Sequence, residues 1–189
     1  MTGTQKAIIP GILIITALLY FLNTLVTPSA VALAATEPPS DAHLPPPRET
    51  SGECAFQSRY PHQVSGWCAF IETTSAKYGL DPLLIAAVML IESGGQPEVI
   101  SHSGAVGLLQ VMPRDGIAST FQCINGPCFA SRPTISELMD PAFNVDFGTR
   151  MLAGLISKKG DVRDALKSYG PYDVGYDYAD KVLSIYSGL

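Results

Sequence analysis

The stretch DPLLIAAVMLIESGGQ, residues 81–96, predicts a buried helix that ends at a single carboxylate, Glu92. Asp81 suits the N-cap and Pro82 the first helical position, whereas the pair of glycines near the end stops a helix. Between these signals every face of the helix is apolar, which is typical of a buried helix. Both burial and the negative end of the helix dipole disfavour the charged form of Glu92.

Glu92 is therefore the first candidate for chemistry. Desolvation raises the pKa of a carboxyl group, and a carboxyl group that stays protonated near neutral pH can act as a general acid. Outside the cell, the usual reaction of such a group is cleavage of a glycosidic bond. The alternative is a glutamate that turns to solvent at the end of its helix and only increases solubility.

The rest of the chain predicts an all-α fold, a compact domain of about six to eight helices. No alternation typical of strands and no internal repeat is present. Residues 104–113 predict a short helix or turn, and residues 115–134 a loop with a small cysteine hairpin. Helical patterns cover residues 67–80, 81–93, 140–160, 161–170 and 176–186.

Residues 1–34 predict an export signal, with an apolar run after Lys6 and the small-x-small sequence Ala-Leu-Ala before Ala35. The alternative is an uncleaved membrane anchor, because the run has about the 20 residues that span a membrane. Residues 35–51 are rich in proline and predict an extended linker, so residues 52–189 would form the folded domain. In either case this domain is expected in the cell envelope, periplasmic or extracellular, and touches the membrane only through an uncleaved N-terminal segment.

The four cysteines predict disulfides, since they all follow the export signal. The favoured pairings are Cys54–Cys68 and Cys123–Cys128, because each would close a local loop. Asn-Gly-Pro lies between the second pair and favours a turn. The alternative is a set of buried free thiols.

Composition argues against several other classes of protein. The net charge is −5, and the basic residues form neither a stripe nor an amphipathic helix, so nucleic-acid binding and surface membrane binding are not predicted. The cysteine spacings do not match a zinc site, and the three histidines, His43, His62 and His102, do not cluster with them. The sequence therefore predicts no metal and no cofactor.

Residues 104–113, GAVGLLQVMP, add side chains suited to a sugar ligand. Gln110 offers both a donor and an acceptor, and Met112 offers an adaptable apolar surface. The glycines would let the backbone approach a ligand closely. By themselves these residues are equally compatible with a turn and core packing.

Residues 91–113, IESGGQPEVISHSGAVGLLQVMP, resemble the signature of the soluble lytic transglycosylase family, which is similar in fold to goose-type lysozyme. That signature is a helix ending in Glu-Ser, a variable stretch, then Ser-x-x-Gly-Ala-x-Gly-Leu-Met-Gln-x-Met-Pro. Leu109 replaces the usual Met. The resemblance continues in NVDFGTRML, residues 144–152, although Met151 stands where the family prefers Tyr, and it covers roughly residues 66–187.

The third family segment departs from its usual form, Ala-x-x-x-Tyr-Asn-x-Gly-Pro. In residues 165–171, ALKSYGP, Tyr169 aligns with the Tyr, but the Asn-x pair is missing. That Tyr lies close to the catalytic acid in the family, so the resemblance makes Tyr169 the candidate donor to Glu92 or to the substrate. The alternatives are simple packing of the last helix, or the same role for Tyr172, Tyr176 or Tyr178.

The resemblance implies a peptidoglycan lytic transglycosylase that cleaves the β-1,4 bond from N-acetylmuramic acid to N-acetylglucosamine without consuming water. Glu92 would protonate the leaving oxygen and then, as a carboxylate, deprotonate the muramoyl 6-hydroxyl, giving a 1,6-anhydro end. Gln110 and Met112 would line saccharide subsites. Ser93 and Ser101 would orient Glu92 or contact the sugar.

Other functions stay open at this point. If Asp115 or Glu98 faced Glu92 across the bond, a hydrolytic muramidase would be possible. The departure at residues 165–171 also allows a peptidoglycan-binding accessory protein of an envelope-spanning machine. Peptidoglycan glycan strands are the predicted partner, and a small catalytic domain would suit general wall turnover as well as local opening for a secretion, conjugation or phage apparatus.

Overall fold

The computed structural model describes residues 56–188, and the predicted segments 1–34 and 35–51 lie outside them. The described fold is all-α, as the sequence predicts. Two short elements lie between the α-helices named below as α3 and α4. They are a 3₁₀ helix, Gly116–Thr120, and an antiparallel hairpin formed by β1 Gln122–Cys123 and β2 Gly126–Pro127. The α-helices are α1 His62–Ser65, α2 Cys68–Tyr78, α3 Pro82–Ser93, α4 Ile135–Leu138, α5 Pro141–Lys159, α6 Val162–Tyr169 and α7 Asp177–Ser187.

The apolar helix α3 lies at the centre of the fold, where it packs against α1, α2 and α7. Its start is the predicted one, because the Asp81 carboxylate accepts a hydrogen bond from the Leu83 amide at 2.9 Å and Pro82 opens the helix. Residues 84–89 are all buried. Each large apolar side chain that is buried stabilises the fold by about 1.5–3 kcal/mol, so a helix without a polar face is stable in this position.

The glycine pair after α3 fixes the end of the helix. Gly94 adopts the left-handed conformation and donates its amide to Leu90. At Gly95 a Cβ atom would lie 2.2 Å from the carbonyl oxygen of Gln63, so only glycine lets the backbone of α1 cross here. Trp67 Nε1 donates to the Gly95 carbonyl oxygen at 2.8 Å. The backbone at the end of α3 is therefore held by contacts to α1 and to Trp67.

The long helix α5 forms a second layer against α2, α4 and α6. The predicted cap is present, since the Asp140 carboxylate accepts from the Phe143 amide at 2.7 Å. Lys77 and the Tyr78 hydroxyl reach Asp146 at 2.5 and 3.0 Å, which ties the end of α2 to α5. On its buried face, α5 carries Asn144, which bonds to the loop that follows α3.

Residues 104–113 form a turn, one of the two forms that the sequence predicts. Val106 pairs with Val111 through two backbone hydrogen bonds of 3.0 Å, and Val106 also pairs with Ile100. Leu108 and Leu109, at the tip of the turn, are buried. The turn is thus part of the core and not a surface loop.

The predicted Cys123–Cys128 disulfide is present and closes the hairpin, with a Cα–Cα distance of 5.0 Å. Cys68 is also disulfide-bonded, and its predicted partner, Cys54, lies outside the described residues. Over residues 56–188, none of the helices combines the length and the apolar character needed to cross a membrane.

Candidate active site

Glu92 lies in the last turn of α3, where it is only partly exposed. Burial raises the pKa of its carboxyl group from 4.5 to about 7, and a hydrogen bond from Tyr178 opposes part of this rise. A carboxyl group with a pKa near neutrality can give and take a proton at the same pH. This is the titration behaviour that the sequence predicts for Glu92.

Tyr178 is the hydroxyl donor to Glu92. Its Oη lies 2.5 Å from Glu92 Oε1, and only 7% of the residue is exposed. Burial, followed by the charge of Glu92, raises the pKa of the Tyr178 hydroxyl, so the hydroxyl stays protonated and donates. Within the described residues, no hydrogen-bond partner contacts Glu92 Oε2, which is left for a substrate.

Tyr169, the donor that the sequence favours, does not make this bond. Its hydroxyl donates to the Leu109 carbonyl oxygen at 2.8 Å. It is nevertheless close enough for the charge of Glu92, after burial, to raise the pKa of the Tyr169 hydroxyl. The expected role thus passes to Tyr178, which the sequence names only as an alternative. The reason is geometric, because α7 packs against α3 and carries Tyr178 to the carboxylate.

Helix α6 holds α7 in the position that brings Tyr178 to Glu92. Arg163 makes a bidentate pair with Asp180, with distances of 2.6 and 2.8 Å. Tyr176 Oη donates to Asp164 Oδ1 at 2.6 Å, at the N-terminal end of α7. Exposed ion pairs contribute little to stability on average, but a bidentate pair fixes geometry well.

Three side chains from three helices bind the backbone of the turn at residues 104–113. Asn144, fully buried on α5, accepts from the Leu109 amide at 2.8 Å and donates to the Val106 and Leu138 carbonyl oxygens at 2.9 Å each. Ser93 donates to the Leu108 carbonyl oxygen at 2.9 Å, beside the Tyr169 bond to Leu109. The turn is therefore locked in place relative to Glu92.

Gly148 lets α5 approach this turn closely. A Cβ atom there would lie 2.7 Å from the Leu109 side chain and 3.1 Å from the Tyr169 hydroxyl. The family motif that contains Asn144 and Gly148 thus describes the contact between α5 and the turn. The sequence flags both residues through the resemblance, but it does not show what they touch.

Gln110 is partly exposed at the edge of the turn. Its φ angle is 43°, in the left-handed region that residues other than glycine rarely adopt. Its Nε2 donates to the Val99 and Gly107 carbonyl oxygens at 3.0 and 2.9 Å. The amide oxygen makes no hydrogen bond within the described part of the chain. Met112 is partly exposed next to it. Both residues are therefore partly accessible from solvent.

The side chains of the two predicted serines form hydrogen bonds with backbone groups. Ser93 is buried, and besides its bond to Leu108 it accepts from the Gly95 amide at 3.1 Å. Ser101 accepts from the Ala105 amide at 2.9 Å and stabilises the start of the turn. Ser93 and Ser101 therefore hold the backbone of the elements around Glu92.

The two other carboxylates considered in the sequence have different surroundings. Asp115 Oδ1 accepts from the Ile135 amide at 2.8 Å, the first amide of α4, whose N-cap is Thr134. Glu98 is exposed. Across residues 56–188, His, Cys, Asp and Glu residues form no group able to hold a metal ion. The arrangement offers one carboxyl group of raised pKa, one tyrosine donor and a rigid turn with a free amide oxygen.

Comparison with known proteins identifies the family of the chain. The profile of the family described as "Transglycosylase SLT domain" matches residues 69–175, more than half of the chain. The chain is 36% identical over 102 residues to the "Membrane-bound lytic murein transglycosylase E" of Buchnera aphidicola, a match that covers 54% of this chain and 45% of the relative. It is 38% identical over 87 residues to the "Endo-type membrane-bound lytic murein transglycosylase A" of Klebsiella pneumoniae, covering 46% and 41%.

The chain thus spans less than half of the length of these two curated relatives. Among solved structures, it resembles an inactive mutant of the lytic transglycosylase Slt of Pseudomonas aeruginosa. The TM-score is 0.51 at 20% identity, over 69% of this chain and 24% of the other. This likeness concerns the fold.

Proposed function

The chain belongs to the transglycosylase SLT domain family, as its motifs predict, and on that basis we propose that it is a peptidoglycan lytic transglycosylase. The names of the two relatives support this proposal, since both are lytic murein transglycosylases. The single observation that carries it is the carboxyl group of Glu92, whose pKa burial raises to about 7, with the Tyr178 hydroxyl 2.5 Å away.

In the proposed reaction Glu92 acts twice. Protonated Glu92 gives its proton from Oε2 to the glycosidic oxygen, and the bond from C1 of the muramoyl residue to that oxygen breaks. The new carboxylate then takes the proton of the muramoyl 6-hydroxyl while O6 forms a bond to C1. The leaving sugar gains a hydroxyl, the muramoyl residue gains a 1,6-anhydro ring, and Glu92 is protonated again. No water is consumed.

Tyr178 is proposed to hold the carboxyl group in one orientation throughout the cycle. Its bond to Oε1 strengthens when Glu92 is ionised, because a hydrogen bond to a charged acceptor is stronger than one to a neutral acceptor. It therefore stabilises the carboxylate that forms after the first proton transfer. The free Gln110 amide oxygen is proposed to accept from an acetamido N–H or a hydroxyl, and Met112 to contact a sugar face.

The surroundings of Glu92 favour this reaction over hydrolysis by paired carboxylates. Hydrolysis that inverts or retains configuration uses a second carboxylate across the bond. Asp115 is bound to the Ile135 amide, and Glu98 is exposed. Neither has a contact that directs it towards Glu92, which supports a mechanism with one carboxyl group.

We also propose that the protein acts in the cell envelope. Residues 1–34 would serve as an export signal or anchor, residues 35–51 as a linker and residues 52–189 as the catalytic domain. The cysteine pair that closes the hairpin is consistent with an oxidising compartment. Action within a secretion or conjugation apparatus is a hypothesis about its role, and a pull-down from native envelopes that recovers no apparatus component would count against it.

The test is mass spectrometry of the muropeptides released from purified peptidoglycan by the wild type, Glu92→Gln and Glu98→Gln. Glu98→Gln is the matched control, because it removes an exposed carboxylate from the same region. We expect 1,6-anhydro products from the wild type and the control, and none from Glu92→Gln.

Each other result identifies a different function. Reducing-end products that disappear in Glu92→Gln would indicate a muramidase that uses water. Peptidoglycan binding without any product from the wild type would indicate an accessory protein. Equal activity in Glu92→Gln would refute the role of this residue.

A further inference from the structure

The disulfide hairpin and the 3₁₀ helix before it carry an exposed apolar surface that the mechanism above does not use. Three large apolar side chains are exposed here: Ile117 by 57%, Phe121 by 42% and Ile124 completely. Residues 116–131 contain no charged side chain, although 15% of the chain is charged. Exposed apolar side chains that cluster in this way, instead of lying singly, indicate an interaction surface.

The backbone under these side chains is fixed before any ligand binds. The Cys123–Cys128 disulfide closes the hairpin, and the Cys128 amide donates to the Phe121 carbonyl oxygen at 2.9 Å. The rings of Phe121 and Phe129 meet edge to face, with their centroids 6.0 Å apart. Ala118 is fully buried and anchors the 3₁₀ helix. A surface that is preorganised in this way loses little conformational entropy when it binds.

Two side-chain amides lie beside the apolar groups. Gln122 and Asn125 flank the tip residue Ile124, and both are exposed. Within residues 56–188 neither side-chain amide has a hydrogen-bond partner. Each amide offers two donor hydrogens and one acceptor oxygen. Apolar side chains with a few free amides suit a sugar chain, whose ring faces are apolar and whose edges carry hydroxyl and acetamido groups.

A lipid bilayer and a charged ligand fit this surface less well than a neutral glycan. Insertion of the tip into a bilayer would bury both free amides, which costs more than the burial of one isoleucine side chain gains. A charged ligand would find no opposite charge on residues 116–131. Arg132, which follows this stretch, is turned to α5, where it contacts Met151 and lies over the Phe147 ring.

The surface adjoins the turn that carries Gln110 and Met112. Gly104 lies at the start of that turn, and a Cβ atom on it would lie 3.3 Å from both Ile117 Cβ and the backbone nitrogen of Ala118. Four residues separate Met112 from Ile117 in the sequence. Their Cα atoms are therefore at most roughly 18 Å apart. A strand that contacts Met112 can continue onto the exposed apolar side chains.

We propose that this surface binds the glycan strand at sugars beyond the two that flank the cleaved bond. We name it the hairpin surface, and its residues are Ile117, Phe121, Gln122, Ile124 and Asn125. The inference rests on the proposed function, because that function supplies the glycan strand. The apolar side chains contact ring faces, and the two amides bind hydroxyl and acetamido groups. The enzyme consequently binds long strands more tightly than short ones.

Binding is measured first, without catalysis, on the full-length Glu92→Gln protein. The ligands are peptide-free glycan strands, released from peptidoglycan by an amidase and separated into strands of two and of eight disaccharides. Calorimetry compares this parent protein with two variants of it. The hairpin variant adds Gln122→Ala and Ile124→Ser, both at exposed positions. The control adds Val174→Ser, which removes an exposed apolar side chain from the loop between α6 and α7.

We expect the hairpin variant to bind long strands about five- to tenfold more weakly than the parent, the effect of one hydrogen bond and one apolar contact. Its affinity for short strands should be unchanged, and Val174→Ser should change neither affinity. The proposal is overturned if long strands do not bind the parent, if the hairpin variant binds them as tightly, or if Val174→Ser loses as much. An equal loss on short and long strands would also overturn it, because the contact would then lie at the cleaved bond.

A second measurement needs no substitution in the surface. In the parent protein labelled with ¹³C in its isoleucine methyl groups, the NMR signals of Ile117 and Ile124 should shift when long strands are added, and stay in place with short strands. Unshifted signals of both residues would overturn the proposal. Vesicles of phosphatidylglycerol supply the remaining arm. If the hairpin variant lost affinity for vesicles and kept its affinity for long strands, the surface would be a membrane contact and the proposal would be wrong.

Turnover separates this inference from the proposed function. The wild type and the wild type carrying Gln122→Ala with Ile124→Ser act on strands of both lengths. We expect KM for long strands to rise about five- to tenfold while kcat and the turnover of short strands are unchanged, the result of losing a contact made equally before and during the reaction. An unchanged KM would overturn the hairpin surface. Absence of product from the wild type, with length-dependent binding intact, would refute the lytic activity alone.

Discussion

The raised pKa of Glu92 predicts that this residue destabilises the folded protein above neutral pH. Between 4.5, its ordinary value, and about 7, its value in the fold, the folded protein binds a proton that the unfolded chain has released. Stability therefore falls as the pH rises through this interval. At 1.36 kcal/mol for each pKa unit, the difference corresponds to about 3 kcal/mol at pH 7 and above.

Replacing Glu92 with Gln removes this penalty, because the amide has nearly the same shape and does not ionise. We expect Glu92→Gln to match the wild type in free energy of unfolding at about pH 4 and to exceed it by about 3 kcal/mol at about pH 8. With a urea m-value of about 1–3 kcal/mol per molar, the unfolding midpoint should rise by about 1–3 M at the higher pH.

The assay is urea unfolding of the wild type, Glu92→Gln and Glu98→Gln, followed by circular dichroism at a series of pH values from 4 to 8.5 (about the range set by the two pKa values). Glu98→Gln controls for the loss of one negative charge at an exposed position. A stability difference for Glu92→Gln that does not change with pH, or that shrinks as the pH rises, would refute the account of this carboxyl group.

Three further substitutions test the contacts around the site. Tyr178→Phe removes the donor that lowers the pKa of Glu92, so the pKa should rise by about 1–2 units in a ¹³C NMR titration of the glutamate carboxyls; a fall would contradict the assigned bond. Asn144→Ala leaves buried backbone groups without partners and should cost about 3 kcal/mol or more of unfolding free energy in urea, and a loss below about 1 kcal/mol would count against the lock on the turn. Gly148→Ala places a Cβ atom against Leu109 and should lower the unfolding free energy by about 1–3 kcal/mol without changing the helix content measured by circular dichroism; a stabilised variant would show that α5 can move away from the turn.

Local signals were enough to predict most of the helices. The Asp-Pro starts at Asp81 and Asp140 each produce the expected cap, and glycine follows both helices where the pattern stops. These signals act within one or two helical turns, so they can be read without knowing the fold. The short helices α1 and α4 and the 3₁₀ helix were not predicted, because a single turn has too few residues to show a period.

The raised pKa of Glu92 was also predictable from the chain alone. A carboxylate that ends an apolar helix is desolvated in any fold that buries the helix, and the structure shows the raised pKa. The family signature added Gln110 and Met112, which are partly exposed in the turn. For Glu92, Gln110 and Met112, the residues next to them in the sequence were enough to predict their partial burial at the edge of the core.

The choice of Tyr178 over Tyr169 was decided only by the tertiary structure. The two tyrosines are nine positions apart, and both come near Glu92, but their hydroxyls point to different partners at 2.5 and 2.8 Å. Which of them reaches the carboxylate depends on how α7 packs against α3 and on the Arg163–Asp180 pair that holds α7 to α6. Hydrogen-bond geometry is sensitive to tenths of an ångström, whereas a sequence pattern specifies only a helix face.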